Sequence, residues 1–507
     1  MILKTVKLTA IALAPLLSNA QNTSQPNIIL FLVDDMGWQD SSLPFWTEKT
    51  HFNNTYETPN MERLADQGMK FTQAYVSAVS SPTRVSLLTG MNAAHHRVTN
   101  WTLHRNSSND ANSDVLNFPK WNVNGLSPYP GVENTVYATP LPEILRQAGY
   151  YTIHCGKAHF GALGTPGAEP LNLGYNINIS GHAAGAQGSY LGEDSYGNNK
   201  IGPWGVPNMQ EYYGHDMFLT EALTIKALKE LDKTKVSNKP FFLYMAHYAV
   251  HIPFSADKRF FDKYRNKGLD ETEAMYASLL EGMDKSLGDI MDYLESNNLS
   301  DNTIILFLSD NGGLSAHLRG GITNTHNRPL ASGKGSAYEG GIRVPMIVKW
   351  ADKVPKSSIC NEYLIAEDYF PTILEIAGVK SPNIIQKVDG LSFTHLFEGE
   401  GNNNKRSLFW HYPNKWGAPG PGIGSTSTIR KGDWKLIYYH EDNKFELFNI
   451  SKDIGEYNDL AHKEKKQVEK LAKELEDYLV SVNAQMPSYK KTGKQVEFPY
   501  TYLTQDK

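Results

Sequence analysis

The sequence predicts an α/β protein, with a large, mostly parallel sheet sandwiched by helices and a smaller C-terminal subdomain of antiparallel sheet plus helix. Three observations carry that expectation. Asn27 to Val33 and Asn302 to Leu308 are unbroken apolar runs, the mark of strands buried on both faces, and each ends in an acidic, glycine-bearing turn. Between them, helix starts and stops alternate with strand-like runs. After about Ser407 the runs become short and turn-separated.

The elements follow in order. Residues 1–20 place Lys4 and Lys7 before an apolar Leu8 to Leu17 core and end in Ser18-Asn19-Ala20. This is the pattern of a cleaved secretory signal, too short for a membrane anchor, so an exported protein with no membrane insertion is expected. Residues 21–400 form the expected N-terminal unit and 401–507 the C-terminal subdomain. Thr58-Pro59-Asn60 opens a helix that closes at Gly68, and Thr139-Pro140 opens one that closes at Gly149. Further strands are expected at Tyr150 to Cys155, Pro240 to Ala246 and Val344 to Trp350, and helices near His215 to Leu231 and Thr272 to Leu294. In the C-terminal unit, Ser407 to Trp410, Thr428 to Arg430, Trp434 to Tyr439 and Phe445 to Asn449 read as short strands. Ala461 to Val482 reads as an amphipathic helix with Val468, Leu471, Leu475, Tyr478 and Leu479 on one face. Asn402 to Asn404 and Ala418 to Gly424 read as loops, the second close to the site.

Composition narrows the function. The 507 residues are 40% hydrophobic, enough for a sizeable core, and the net charge of -5 is dispersed without a basic run, which argues against nucleic acid as the main partner. An anionic substrate would therefore need locally placed cations. Cys155 and Cys360 allow at most one disulfide, and Cys155 reads as a buried structural residue. The two apolar strands end in Asp34-Asp35-Met36-Gly37 and Asp310-Asn311-Gly312. Three carboxylates and an amide oxygen at one end of a sheet suit a hard divalent cation, calcium before magnesium, and the lack of nearby cysteine argues against zinc.

Ser80 to Gly90, Ser-Ser-Pro-Thr-Arg-Val-Ser-Leu-Leu-Thr-Gly, reads as a short buried helix with Ser80 just before its N-terminus. Such an end welcomes an anion, and Arg84 could add a forked cation. Alone, the stretch reads as a serine cap. The string nevertheless resembles the sulfatase signature, with Ser80 at the position that the family oxidises to formylglycine and Thr83 where Ser or Ala is usual, a departure expected to bear on maturation. Other segments resemble the same family. Gly156-Lys157-Ala158-His159 is similar to its Gly-Lys-Trp-His, with Ala158 in place of the aromatic, and Val250-His251-Ile252-Pro253 to its Pro-His-x-Pro. Gly333-Lys334-Gly335 with Tyr338 to Pro345 closely matches a third string, although Ala331-Ser332 replaces the usual basic or glycine residues.

The resemblance implies an alkaline-phosphatase-like fold and sulfate monoester hydrolysis. One calcium ion is expected on Asp34, Asp35, Asp310, Asn311 and residue 80. Arg84, Lys157 and Lys334 would neutralise the sulfate, and His251 would protonate the leaving alkoxide. Hydrated formylglycine 80 would attack sulfur to give a covalent sulfated intermediate. His159 would then help to expel sulfate, and Asp310 would assist in deprotonating the nucleophile. A serine at position 80 implies an anaerobic-type formylglycine-generating maturase acting before export, hence a bacterial periplasmic or secreted enzyme. The expected substrate is a sulfated glycan attacked in exo fashion, on galactose or N-acetylgalactosamine. Asn100, Trp101, His104 and Arg105 in the loop 98–124, the segment Gly181 to Trp204, and Arg328 are the expected substrate-facing positions. His247 reads as a packed neighbour of the strand, while His95 and His96 stand open between structural and substrate-facing roles. The rival readings are a phosphate mono- or diester hydrolase on the same scaffold and a non-catalytic glycan-binding protein with unmodified serine. Separate Lys157 and Lys334 contacts and one metal cluster favour the sulfatase over the first. The proton-transfer set disfavours the second.

Overall fold

Nine strands build the principal sheet of the computed structural model: β1 (Asn27–Val33), β2 (Met69–Tyr75), β3 (Tyr151–Gly156), β4 (Ile177–Ile179), β5 (Phe241–Ala246), β6 (Thr303–Ser309), β7 (Arg343–Lys349), β8 (Ser358–Cys360) and β9 (Leu364–Ile365). They lie in the order β8-β2-β7-β6-β1-β5-β3-β4, with β9 also beside β2. Pairing is parallel throughout except for β7, which runs antiparallel to both β2 and β6. The structure describes residues 25–505 apart from 238, 400 and 402–404. The signal-like segment and the Asn402 to Asn404 loop thus lie outside the described residues.

The apolar runs earn their burial by alternation. Ile28, Leu30 and Leu32 of β1 face one core, while Ile29, Phe31 and Val33 face another. Helices α1 (Pro59–Asp66), α4 (Leu219–Ser237) and α5 (Glu271–Ser296) cover the face carrying Phe31. Helices α2 (Ser80–Thr89), α3 (Leu141–Gln147) and α6 (Tyr369–Ile376) cover the other. This is the expected sandwich. β2 follows the helix that closes at Gly68, as the alternation of helices with strand-like runs implies, although its sequence, MKFTQAY, is only half buried.

Four strands, β10 (Ser407–Tyr412), β11 (Thr426–Lys431), β12 (Trp434–Tyr439) and β13 (Phe445–Asn449), form a separate antiparallel sheet in sequential order. Helix α7 (Lys465–Ser481) lays Val468, Leu471, Leu475 and Leu479 against Ile429, Leu436 and Leu447 of that sheet. Tyr478 completes the face by stacking on Phe409, with ring centroids 3.9 Å apart. Glu339, wholly buried, ties the two sheets together: it meets Arg343 at 3.3 Å, Arg430 at 3.1 Å and Lys435 at 3.2 Å, and accepts the Tyr75 hydroxyl at 2.8 Å. Cys155 and Cys360 are both free thiols. Among the described residues no helix is long and apolar enough to cross a membrane.

Candidate functional site

Register places the acidic turns side by side. β1 and β6 pair in step from Asn27 with Thr303 to Val33 with Ser309, so Asp34 and Asp310 leave the sheet as neighbours. The Asp310 N–H donates to Val33 O at 3.0 Å, locking that exit. β3 ends at Gly156 opposite Ala246 of β5, which delivers Lys157 to the same end of the sheet. This is where open parallel sheets gather their ligands.

Ser80 is the first residue of α2, with Val79 as the N-cap, one position further into the helix than the sequence suggested. Its hydroxyl donates to Asn311 Oδ1 at 3.1 Å, lies 3.4 Å from Asp34 Oδ1, and accepts from Lys157 Nζ at 3.2 Å. Lys157 Nζ in turn sits 2.5 Å from Asp34 Oδ2 and 3.8 Å from Asp310 Oδ2, so one ammonium bridges both strand ends. Lys334 Nζ is 2.6 Å from Asp35 Oδ1, which also accepts from Asn311 Nδ2 at 2.7 Å. All five expected ligand residues are therefore drawn into one buried cluster.

Arg84 departs from expectation. Its guanidinium is fully buried and spent on protein: Nε donates to Asp310 Oδ2 at 2.9 Å and Nη1 to the Lys157 carbonyl at 2.8 Å. One turn into α2 it lies behind the cavity lining, where it fixes Asp310 and the Lys157 backbone.

Two of the cavity histidines, His159 and His251, are each held in one tautomer. His159 Nε2 pairs with Thr102 O at 2.9 Å, which makes it the N–H and leaves Nδ1, buried and without a protein partner, as a lone-pair acceptor. Burial first, then the Lys157 charge, holds this ring well below its ordinary pKa and hence neutral. Its backbone is left-handed, with φ 59°, a strained conformation of a kind that concentrates at functional sites. Gly185 makes room for it: a Cβ there would lie 2.3 Å from His159 Cε1. His251 gives Nδ1 to Ile252 O at 2.6 Å and turns Nε2 toward Asp35 Oδ2 at 3.7 Å. Burial and then Lys334 push its pKa down to about 3.

Three carboxylates in so little space strain against one another. Burial, then Asp310, pushes Asp34 up to about 8. Against burial, Lys334 and His251 hold Asp35 below the usual carboxylate range, and Arg84 and Lys157 do the same for Asp310. Asp35 Oδ2 is buried without a hydrogen bond, and ligand-capable atoms of Asp34, Asp35 and His251 lie within 4.8 Å of one another. A hard divalent cation fits these residues: the donors are oxygen-rich and one carboxylate oxygen is orphaned.

The cluster forms the floor of a cavity of about 1170 Å³. Ser80, Lys157, His159, His251 and Lys334 line it, and so do Trp101, Trp204 and Trp416. Of the expected substrate-facing positions, Trp101 and, through Gly185, Gln187, Lys200 and Trp204, the Gly181 to Trp204 segment line this wall. Asn100 is fully buried behind it, donating to Asp110 Oδ1 at 2.7 Å and orienting the loop. His104 and Arg105 ride an exposed turn that projects away once Leu103 is buried, and Arg328 is exposed outside the lining. Ala418 and Pro419 do reach the cavity. His95 pairs with Asp389 at 2.9 Å and buried His96 with Ser86 at 3.1 Å, which makes both structural, and His247 is packed with Ser286 at 2.9 Å. Sequence reasoning missed His317 and Trp416, neither of which stands in a periodic or motif-like context, and it named the Gly181 to Trp204 segment without singling out Gly185.

Comparison with known proteins agrees with this geometry. The sulfatase family model matches residues 26–379, and the model for the C-terminal region of N-sulphoglucosamine sulphohydrolase matches 333–485. A sulfatase of Formosa agariphila is 29% identical, with 97% of this chain and 96% of that protein covered. N-acetylgalactosamine-6-sulfatase of Canis lupus familiaris is 29% identical over 76% of this chain and 68% of its own. Among solved structures, Ps i-CgsB in complex with k-i-k-neocarrahexaose superposes with a TM-score of 0.70 at 28% identity, covering 90% of this chain and 93% of that one.

Proposed function

The chain belongs to the sulfatase family and is a sulfuric ester hydrolase; from that premise we propose that it removes sulfate from carbohydrate esters with formylglycine formed from Ser80 and one calcium ion. The observation that carries this reading is the Ser80 hydroxyl, held between Lys157 at 3.2 Å and Asn311 at 3.1 Å on the floor of a cavity lined by Lys334, His159 and His251.

Asp34, Asp35, Asp310, Asn311 and residue 80 would hold the calcium, which when bound supplies positive charge for the sulfate oxygens and for the ionising nucleophile. Formylglycine, as its hydrate, supplies one hydroxyl for attack on sulfur and a second whose deprotonation expels sulfate. The chain's own groups do the rest. Lys157 and Lys334 neutralise the ester oxygens, and both arrive already ion-paired, so little reorganisation is needed. Arg84 keeps Asp310 and the Lys157 backbone in place. His159, with its Nε2–H committed to Thr102, presents Nδ1 to accept the proton of the second hydroxyl. His251 serves the leaving alkoxide. A sulfate ester lying between it and Lys334 adds negative charge that favours the imidazolium needed for donation.

The sugar proposed is N-acetylgalactosamine, which the name of the canine relative supports, or galactose. A serine at position 80 and the signal-like residues 1–20 support maturation by an anaerobic-type maturase followed by export from a bacterial cell. The test is parallel turnover of an aryl sulfate, an aryl phosphate and defined sulfated saccharides by matured protein. Sulfate ester turnover that exceeds phosphate turnover is expected, and phosphate preference would overturn the proposal.

A further inference from the structure

The cavity wall beyond the reacting groups carries two side chains with no assigned task. His317 lines the cavity in the loop that follows β6, and its ring is engaged by no described residue: Nδ1 is buried without a partner, and no hydrogen bond influences its ionisation. His159 and His251, by contrast, each commit one nitrogen to a backbone carbonyl. The loop around His317 is nevertheless fixed. Ser315 is bonded to His326 at 3.0 Å, and Arg319 is buried against Asp40 and Glu273 with its guanidinium 3.7 Å from the centre of the Tyr276 ring. An imidazole held on a pinned loop yet left unsatisfied is placed for a ligand. Burial, then the Lys334 charge, keeps it below its ordinary pKa, and Asp35 also acts on it. It is thus neutral, with one donor and one acceptor, beside the groups that face the sulfate.

Trp416 enters from the loop after β10. Its indole packs so closely on Gly335 that a Cβ there would lie 2.5 Å from Cδ1, and Lys334 Nζ is 5.8 Å from the ring centroid. Its Nε1 is buried without a partner, and the loop is held by Asn414 Nδ2 donating to Asp110 Oδ2 at 3.0 Å. A flat apolar face with a spare polar atom matches a pyranose ring, which alternates C–H faces with hydroxyls. The cavity, at about 1170 Å³, exceeds the range of roughly 300–1,000 Å³ that encloses a drug-sized ligand, leaving room for more than one ring.

Resting on the carbohydrate sulfatase reading, we propose that His317 and Trp416 form a sugar-recognition subsite, in which His317 hydrogen-bonds a hydroxyl of the sulfated saccharide and Trp416 lies against a pyranose face. These are binding residues and move no proton in the reaction.

Calorimetry on the chain with Ser80 unmodified, using N-acetylgalactosamine 6-sulfate, galactose 6-sulfate and sulfated oligosaccharides of each, measures the subsite without turnover. His317→Ala and Trp416→Ala are each expected to weaken the best-bound saccharide about tenfold, with partial recovery in His317→Gln and Trp416→Phe. On matured enzyme, the loss of kcat/KM for the saccharide sulfate should exceed that for an aryl sulfate by about tenfold in His317→Ala and appear mainly in KM. Thermal midpoints near that of the parent show that the variants fold. Binding unchanged in both alanine variants, equal losses on aryl and saccharide sulfates, or no saccharide of the panel bound by the parent would overturn the subsite. Failure of the sulfatase reading appears separately, as a parent that hydrolyses no sulfate ester.

Discussion

Gly185→Ala should cripple turnover through one methyl group while leaving the protein folded. The added Cβ would lie 2.3 Å from His159 Cε1, 2.5 Å from Nδ1 and 2.6 Å from Nε2, whereas ordinary contact begins at 3.4 Å. The ring must therefore retreat by about 1 Å. Its Nε2 bond to Thr102 O, now 2.9 Å, lengthens past the hydrogen-bond limit, and the lock on the tautomer goes with it. A displacement of about 1 Å at a reacting group costs on the order of 10²-fold in rate, or about 2.7 kcal/mol in the barrier. Overpacking should cost about 1–3 kcal/mol of stability, which a chain of this size tolerates. Because His159 is assigned to sulfate expulsion, stopped-flow assay of matured enzyme on an aryl sulfate should keep a first-turnover burst of phenol and lose the steady state that follows. In a His159→Ala background the same methyl has no ring to meet, so the double variant should match His159→Ala alone. A folded Gly185→Ala enzyme with a steady-state kcat within about twofold of the parent would refute this role for His159.

Other consequences follow from the same coordinates. Glu339→Gln removes the anion facing Arg343, Arg430 and Lys435 and should cost about 3–5 kcal/mol in denaturant unfolding; a loss under about 1 kcal/mol would mean that the cluster is internally compensated. His154 is buried and stacks on Tyr244 at 5.5 Å; burial, then Arg84, pushes its pKa down to about 3. A depressed histidine pKa contributes stability that is present above its unfolded value of about 6.5 and is lost as pH falls from there toward the folded value. The thermal midpoint of His154→Phe relative to the parent should therefore rise between pH 8 and pH 5, and an unchanged difference would show that the ring is not held neutral. Chelator treatment should abolish turnover and lower the midpoint, with calcium restoring both better than magnesium at equal concentration; full activity after chelation would remove the metal from the account.

Much of this was readable from residues whose meaning is local. Two apolar runs ending in acidic turns foretold paired strands with carboxylates at one end, and the in-step register of β1 and β6 is the physical reason that Asp34 and Asp310 meet. The amphipathic stripe of α7 needed only its own periodicity. The reversed direction of β7 escaped because strand direction depends on connections that no local pattern encodes. Arg84 looked like an anion ligand from its distance along the helix, yet helix rotation turns it into the sheet toward Asp310. His104 and Arg105 looked like site residues in a polar loop, and a single turn carries them outward. His317 and Trp416 were illegible because each owes its position to contacts made far along the chain, by Arg319 with Asp40 and by Asn414 with Asp110; Gly185 falls in the expected Gly181 to Trp204 segment, but its close approach to His159 is a tertiary contact that no local pattern shows.

The central claim is that residue 80 works as formylglycine and not as serine. Peptide mass spectrometry of the Ser80 to Arg84 region, paired with sulfate release from the same preparations made with and without an anaerobic-type maturase, measures it directly. Multiple turnover should rise in proportion to the fraction of residue 80 that has lost two hydrogens, and chain made without the maturase should fold and still bind substrate but stop within one turnover. Full multiple turnover from protein carrying only intact Ser80 would contradict the account.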